Sequence, residues 1–166
     1  MTISMYGASV PAFARQLNAL LGLLDKAQAH AEARKFSPDS YLALRMAPDM
    51  LPFTKQIQIA CDMAKGAVAR LAGVEIPKWD DNEATLDDLR ARIRKTVDFV
   101  KSVTAAQIDG SEEREVVLTL RLGEMKFSGQ DYLLNWALPN FYFHATTTYA
   151  MLRQAGVEVG KRDFLA

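Results

Sequence analysis

The residue best suited to chemistry is His144, which lies one helical turn after Asn140 in a stretch rich in aromatic side chains. Its aromatic neighbours in the sequence are Trp136, Phe141, Tyr142, Phe143 and Tyr149. An imidazole in such surroundings can act as a general base or as a ligand, because it titrates close to neutral pH. A lone histidine also suits a structural role, buried and bonded to a backbone carbonyl or a tyrosine hydroxyl. The sequence leaves both roles open.

The chain has few metal ligands to offer. Zinc sites usually take at least three protein ligands, and this chain has two histidines and one cysteine. His30 falls at the C-terminal end of the first predicted helix, where the helix dipole favours a partly protonated imidazole as a cap. Cys61 falls in an apolar stripe, where a thiol usually behaves as a small hydrophobic side chain. We therefore expect neither a metal site nor another cofactor.

Three polar side chains of the second predicted helix are Gln56, Gln58 and Asp62. They matter to the site only if they face the interior and meet His144 across the molecule. Gln58 and Asp62 are four residues apart, so both lie on one line beside the apolar stripe of that helix. We include these two in the candidate site.

Two apolar stripes with helical spacing make up the first half of the chain. The first runs from Val10 to Leu24, with Ser9 as a predicted N-cap and Pro11 in the first turn. The second runs from Met50 to Leu71 and is followed by Gly73, a residue typical of helix C-caps. These stripes predict helices one and two.

Two more helices are predicted in the second half. Thr85 is suited to N-cap a helix whose apolar positions run from Leu86 to Val100. Ser128 precedes the last helix, whose stripe runs from Leu133 to Leu152 and ends before Gly156. Pro139 interrupts this last stripe, and we expect it to kink helix four. The kink would leave a carbonyl near Asn135 without its helical partner.

The segment between helices three and four has a different pattern. Residues Glu115 to Leu122 alternate loosely between two sides, and Gly123 can turn the chain. We predict a short β-hairpin here, or an extended segment that covers the helices. With the four stripes, this predicts an all-α four-helix bundle that forms one domain over residues 1–166.

Composition excludes several classes of protein. Twenty basic residues balance twenty acidic ones, and no stretch gathers Lys and Arg without acidic residues among them. Nucleic acid and anionic membranes are therefore not expected partners. Hydrophobic residues make up 49% of the chain, but no apolar run approaches eighteen residues and no basic leader precedes an apolar core. With a single cysteine, the chain is expected to be soluble and cytoplasmic.

Several motifs resemble one known group of proteins. They are FSGQDYL at 127–133, LPNFYFH at 138–144, LRQAGV at 152–157 and GKRDFL at 160–165, joined upstream by QIA at 58–60 and KGAVARLAG at 65–73. Together they resemble an uncharacterised domain-of-unknown-function family beside the DinB/YfiT-like bundles, over nearly the whole chain. The resemblance implies an up-down-down-up four-helix bundle that is often a homodimer.

In better-known DinB-like relatives, the resemblance implies a divalent metal held by three histidines, and some of those relatives transfer low-molecular-weight thiols. His144 stands before the final Leu-Arg-Gln-Ala-Gly run much as one of those ligands does. Asn140 occupies the position of its helical partner, and helix two contains no histidine. The ligand set of the relatives is thus only partly present.

We therefore expect a metal-free homodimer in which helix four lines a pocket for a small ligand. The candidate pocket residues are His144, Asn140, Asn135, Tyr132 and Tyr149, joined by Gln58 or Asp62 from helix two. An alternative is a transferase or hydrolase that binds manganese or magnesium at a degenerate site made of His144, Asp62 and an amide side chain. A third is an interaction protein whose hairpin and tail, residues 160–166, form the dimer contact.

Overall fold

The computed structural model describes residues 3–120 and 123–166. Its principal helices are α1 (Met5–Ala33), α2 (Phe53–Ala72), α3 (Leu86–Ser102) and α6 (Leu138–Gln154). Between them lie a 3-10 helix (Pro38–Ala43), a short helix α4 (Ala105–Ile108), the strands β1 (Val116–Leu120) and β2 (Gly123–Phe127), the short helix α5 (Gly129–Asp131) and a π-helical segment (Tyr132–Ala137). A last short helix, α7, spans Lys161–Phe164.

Helix α1 begins one turn earlier than the sequence predicts. Its N-cap is Ser4, whose hydroxyl accepts a hydrogen bond from the amide of Gly7 at 3.1 Å. Ser9 lies inside the helix instead, and its hydroxyl donates to the carbonyl of Met5 at 2.6 Å. The prediction of Ser9 as the cap is therefore wrong, because Ser4 already satisfies an amide of the first turn.

The predicted ends of α2 and α3 are confirmed. Gly73 closes α2 in the left-handed conformation, with φ of 69°. Thr85 caps α3 in a reciprocal pair, since its hydroxyl accepts from the amide of Asp88 at 3.1 Å and the Asp88 carboxylate accepts from the amide of Thr85 at 2.9 Å. Aspartate takes the place that glutamate usually holds in this capping box.

Hydrogen bonds between the helix ends show the directions of the helices. The amide of Leu86, at the start of α3, donates to Asp39 in the 3-10 helix just beyond the end of α1, at 2.8 Å. Both α2 and α3 therefore begin beside the end of α1 and run antiparallel to it. The amide of Tyr6 donates to Asp109 just after α4, also at 2.8 Å, and the amide of Gln130 in α5 donates to the nearby carbonyl of Glu112 at 2.9 Å. The last helix therefore begins beside the start of α1 and runs parallel to it. The predicted up-down-down-up bundle is confirmed.

The core lies between the four principal helices. Phe13 of α1 and Phe141 of α6 are fully buried and pack edge to face, with ring centroids 4.9 Å apart. Other large side chains with almost no exposed surface include Phe53, Tyr132, Leu17, Leu20, Leu23, Leu24, Ile57, Leu71, Leu86 and Leu89. Within residues 3–120 and 123–166, no helix has the length and apolar character needed to cross a membrane.

The parallel arrangement of α2 and α3 demands a long connection. Helix α2 has 20 residues, a length of about 30 Å, which the chain must travel back before α3 can start. Residues 74–85, called the crossover segment here, can reach about 40 Å when extended. They run along α2 and α3 without regular secondary structure.

Arg92 of α3 holds the crossover segment in place. Its side chain is 3% exposed, and its guanidinium group lies 2.9 Å from Asp81 and 2.8 Å from Glu83, both in that segment. It also lies 3.0 Å from Asp62 of α2 and donates to the carbonyl of Asp80 at 3.1 Å. One buried cation thus joins two helices and the connection between them.

The predicted hairpin is confirmed. β1 and β2 are antiparallel, in register from Val116 opposite Phe127 to Leu120 opposite Gly123. Val116 and Leu118 are buried on the face that covers the bundle. The last two residues of the predicted alternating segment, 121 and 122, lie outside the described residues.

The last helix contains a π-helical segment just before Pro139. α5, the π-helical segment and α6 follow one another without a break, and within this run the amide of Leu138 donates to the carbonyl of Leu133, five residues earlier. Pro139 has no amide hydrogen to give to the carbonyl of Asn135, so the turns before it cannot all keep the α-helical pattern. The predicted disturbance is present, but as a π-helical segment.

Replacing Arg92 by Met should lower the free energy of unfolding by about 3 kcal/mol, as measured by urea denaturation, because Glu83 would keep a buried charge without its cation. This lies at the low end of the range for a broken buried ion pair, since Asp62 and Asp81 remain partly in water. Arg94→Met changes an exposed arginine of the same helix and should shift stability by no more than about 0.5 kcal/mol. Equal effects of the two substitutions would contradict the role given to Arg92.

Candidate functional site

The interior contact of His144 is with Gln56 of α2. The ring Nδ1 of His144 lies 2.7 Å from the side-chain oxygen of Gln56. The amide nitrogen of Gln56 donates to the carbonyl of Leu51 at 2.9 Å, and a carbonyl can only accept. The Gln56 oxygen must therefore face the ring, which places the imidazole hydrogen on Nδ1 and a lone pair on Nε2.

His144 is held in its neutral form. The ring is half-buried, and this burial lowers its pKa below the ordinary value of a histidine. Within the described residues, Nε2 has no hydrogen-bond partner. The site thus presents a neutral imidazole whose free nitrogen can accept a hydrogen bond.

An apolar cleft of about 390 Å³ lies beside this pair, between α6 and the loop that leads into α2. The ring of Phe143 forms part of its wall and contacts the ring of His144 edge-on, with centroids 5.2 Å apart. The complete lining is Met46, Met50, Tyr142, Phe143, Thr146, Thr147 and Ala150. A largely apolar molecule in this cleft would contact Phe143, the direct neighbour of His144.

Two of the predicted pocket residues have other partners. Tyr132 is buried in the π-helical segment, where its hydroxyl accepts from Arg70 at 3.1 Å and burial raises its pKa. Asn135 is exposed and donates to Asp131 one turn earlier, at 2.6 Å. Neither is bonded to His144, and both lie in the π-helical segment.

Asn140 and Tyr149 lie on α6 with His144. The side-chain amide of Asn140 donates to the carbonyl of Trp136 at 2.7 Å and so satisfies a backbone acceptor near the end of the π-helical segment. Tyr149 packs against Phe164 of α7, with ring centroids 5.8 Å apart. Asn140 precedes His144 by one turn and shares its face of the helix.

Gln58 and Asp62 belong to a different part of the molecule. The amide nitrogen of Gln58 donates to Glu83 at 2.6 Å, and Asp62 is paired with Arg92 and with Lys65. The prediction that they join His144 in one pocket is wrong. Two residues along a helix correspond to a rotation of about 200°, so Gln58 points away from the side on which Gln56 meets α6.

The polar cluster around Arg92 has a structural role. Burial alone would raise the pKa of Glu83, but hydrogen bonds from Arg92 and Gln58 hold that pKa below its ordinary value. Cys61, next to Asp62, is fully buried, and burial raises the pKa of its thiol to about 12. A thiol that stays protonated is a poor nucleophile, so the cluster lacks a reactive cysteine.

The residues at His144 do not fit the three-histidine metal centre that the family resemblance implies. Gln56 supplies an amide oxygen where a metal site would need an imidazole or a carboxylate, and Nδ1 of His144 already bonds that oxygen. Across the described residues there is no group of three or more His, Cys, Asp or Glu side chains arranged to hold a metal ion.

Sequence reasoning noted Gln56 but did not place it in the site. The position of Gln56 in the sequence indicates that it faces the interior, because it is three residues after Phe53 and four before Ala60, both fully buried. A polar residue on the apolar stripe of a helix needs a hydrogen-bond partner inside the protein. Gln58, beside the stripe, gives no such indication.

The depressed pKa of His144 predicts how stability depends on pH. The unfolded chain takes up a proton near its ordinary pKa of about 6.5, whereas the folded chain does so only at lower pH. The contribution of the neutral ring is therefore complete above that pH and is lost as pH falls towards the folded-state pKa. The free energy of unfolding of His144→Gln should fall less between about pH 7 and pH 5 than that of the wild type.

Urea denaturation across this pH range measures the effect. Thr146→Ala, an exposed change on the same helix, should keep the wild-type slope. An unchanged slope in His144→Gln would contradict the neutral, buried state of the ring.

Comparison with known proteins places this geometry in a family. The profile of DUF1993, described as a domain of unknown function, matches residues 5–165. None of the curated proteins matches the chain. The structure is similar to the crystal structure of a DinB family member protein from Shewanella denitrificans, with a TM-score of 0.89 and 38% sequence identity over 97% of this chain and 91% of that one. The chain therefore belongs to the DUF1993 family, a domain of unknown function, and has a DinB-like four-helix fold.

Proposed function

We propose that this protein binds a small, largely apolar molecule that carries one hydrogen-bond donor, and that it does so without a metal. The observation that supports this proposal is the free Nε2 of a neutral His144 whose ring contacts Phe143, a residue that lines an apolar cleft. Small-molecule sites commonly combine apolar walls with a few polar groups that set the orientation of the ligand. A hydroxyl or N–H group of the ligand would donate to Nε2.

The relay from Leu51 through Gln56 to His144 supports recognition because it fixes which ring nitrogen accepts. Gln56 is buried and bonded at both ends of its amide group, so the ring is positioned before any ligand arrives. A site prepared in this way loses little conformational entropy on binding.

A pair of matched probes tests the proposal. 4-Ethylphenol has a hydroxyl donor, and 4-ethylanisole is the same molecule with that hydrogen replaced by a methyl group. We expect the phenol to bind about tenfold more tightly, because only it can satisfy Nε2. Two-dimensional NMR of the histidine ring nitrogens measures both affinities and shows whether the Nε2 signal of His144 moves.

His144→Phe serves as the control, since it keeps a flat ring but removes the acceptor. This variant should bind both probes with equal affinity. Treating the wild type with EDTA should change neither affinity, which sets the proposal apart from the degenerate manganese or magnesium site. Equal binding of the two probes by the wild type, or loss of binding with EDTA, would overturn it.

We also propose a homodimer, located in the cytoplasm. Phe143 is 56% exposed and Leu51 is 47% exposed, both at the apolar cleft or beside it. Exposed apolar side chains gathered in one place are typical of interaction surfaces. The buried, unpaired Cys61 fits a reducing compartment. The C-terminal tail is a less suitable dimer contact, because α7 is already bonded to its own chain. The side-chain amide of Gln16 donates to the carbonyl of Phe164 at 3.1 Å.

Phe143→Ser should weaken the dimer, because it removes an apolar side chain from this surface. Sedimentation velocity at micromolar concentration measures the effect, and Val74→Ser, at a partly exposed valine just after α2, is the control that should leave the dimer intact. A wild-type protein that sediments as a monomer would refute the dimer. An unchanged dimer in Phe143→Ser would place the contact elsewhere.

A further inference from the structure

A second cavity, of about 530 Å³, lies at the C-terminal end of α1. Three basic residues line it at intervals of four, namely Lys26 and His30 of α1 and Arg34, the C-cap of that helix. Residues with this spacing share one face of a helix, so their nitrogen atoms converge on the same space. The cavity remains open because the other residues in its wall are small or exposed, namely Ala29, Ala33, Gly156 and Glu158.

His30 is fixed with one nitrogen towards this cavity. Its Nδ1 lies 2.5 Å from the hydroxyl of Tyr41, a side chain that is 3% exposed, and Phe36 packs against the ring edge-on at 5.9 Å. Burial raises the pKa of Tyr41, so its hydroxyl keeps its hydrogen and donates it to Nδ1, there being no other acceptor for it within the described residues. Nε2 then carries the imidazole hydrogen as a donor, on the side of Gly156.

These basic side chains are not needed to cap the helix, which is the usual role of such residues and the one predicted for His30. The carbonyl of His30 accepts from the amide of Arg34, and the carbonyl of Ala31 accepts from the amide of Phe36, both at 3.1 Å. The end of α1 is closed by its own backbone. The side-chain donors of His30 and Arg34 are therefore available for another partner.

The two cationic side chains Lys26 and Arg34 differ in whether they already have partners in the protein. Lys26 is paired with Asp163 of α7 at 2.8 Å and also donates to the carbonyl of Glu158 at 3.3 Å. Arg34 has no ion pair or side-chain hydrogen bond with any other described residue, so its planar fork of donors is free. Glu158 contributes the one carboxylate in the wall of the cavity and opposes an anion there.

We propose that this cavity binds a phosphate group, either inorganic phosphate or a phosphate monoester. Arg34 would hold two phosphate oxygens with its fork, and Nε2–H of His30 would donate to a third. Lys26 would add charge at the rim. In a monoester, the organic group would lie on Ala29 and Ala33. This site is separate from His144, and its test does not depend on the proposed function.

Titration of the full-length protein with inorganic phosphate and with phenyl phosphate, at constant ionic strength and pH and followed by amide NMR, tests the proposal. We expect saturable shifts confined to residues 26–36 and 156–158. Arg34→Gln should weaken binding about tenfold, because it removes a charge-assisted contact. Glu158→Gln should strengthen binding, because it removes the opposing carboxylate.

Arg94→Gln makes the same chemical change as Arg34→Gln at an exposed site on α3 and should leave binding unchanged. Tighter binding of phenyl phosphate than of inorganic phosphate would identify a monoester as the ligand, and equal binding would identify free phosphate. Shifts that grow linearly without saturation, or equal losses in the two arginine variants, would overturn the site. So would weaker binding in Glu158→Gln.

Discussion

The fold depends on one buried cation. Because α2 and α3 run in the same direction, the chain between them must return along the whole bundle, and a segment without secondary structure leaves many polar groups to satisfy. Arg92 meets that requirement, since its guanidinium gathers carboxylates from the crossover segment and from α2 in one place. Lys55 adds a second attachment to Asp81, at the exposed edge. These ion pairs thus hold the crossover segment in place against α2 and α3.

The sequence predicts the helices well because their signals are local. The apolar stripe of α2, the glycine that ends it and the Thr85 cap all act within a few residues of one another, and each is found where it was expected. The start of α1 was misplaced because Ser4 and Ser9 are both competent caps, and only the packing of the first turn distinguishes them. The π-helical segment was missed since a proline signals a disturbance without saying how neighbouring turns absorb it.

The site was predicted less well because it depends on pairs between helices. The interior partner of His144 is Gln56 rather than Gln58 or Asp62. A helical wheel places Gln56 and Gln58 on different sides of α2, and the sequence alone does not say which of these sides meets α6. Arg92 was overlooked as well, although it takes up Asp62 and so removes that residue from the candidate pocket. Distant partners of this kind leave no local pattern.

The Leu51 carbonyl has a consequence beyond geometry. It belongs to the loop before α2, where Arg45 donates to the neighbouring carbonyl of Met50, and it alone decides which end of the Gln56 amide faces the imidazole. If that carbonyl turned away, the amide could reverse, and the imidazole hydrogen would move to Nε2. The same three residues would then offer a donor where they now offer an acceptor. The loop conformation therefore encodes the polarity of the site, and a backbone rotation would exchange one class of ligand for its complement.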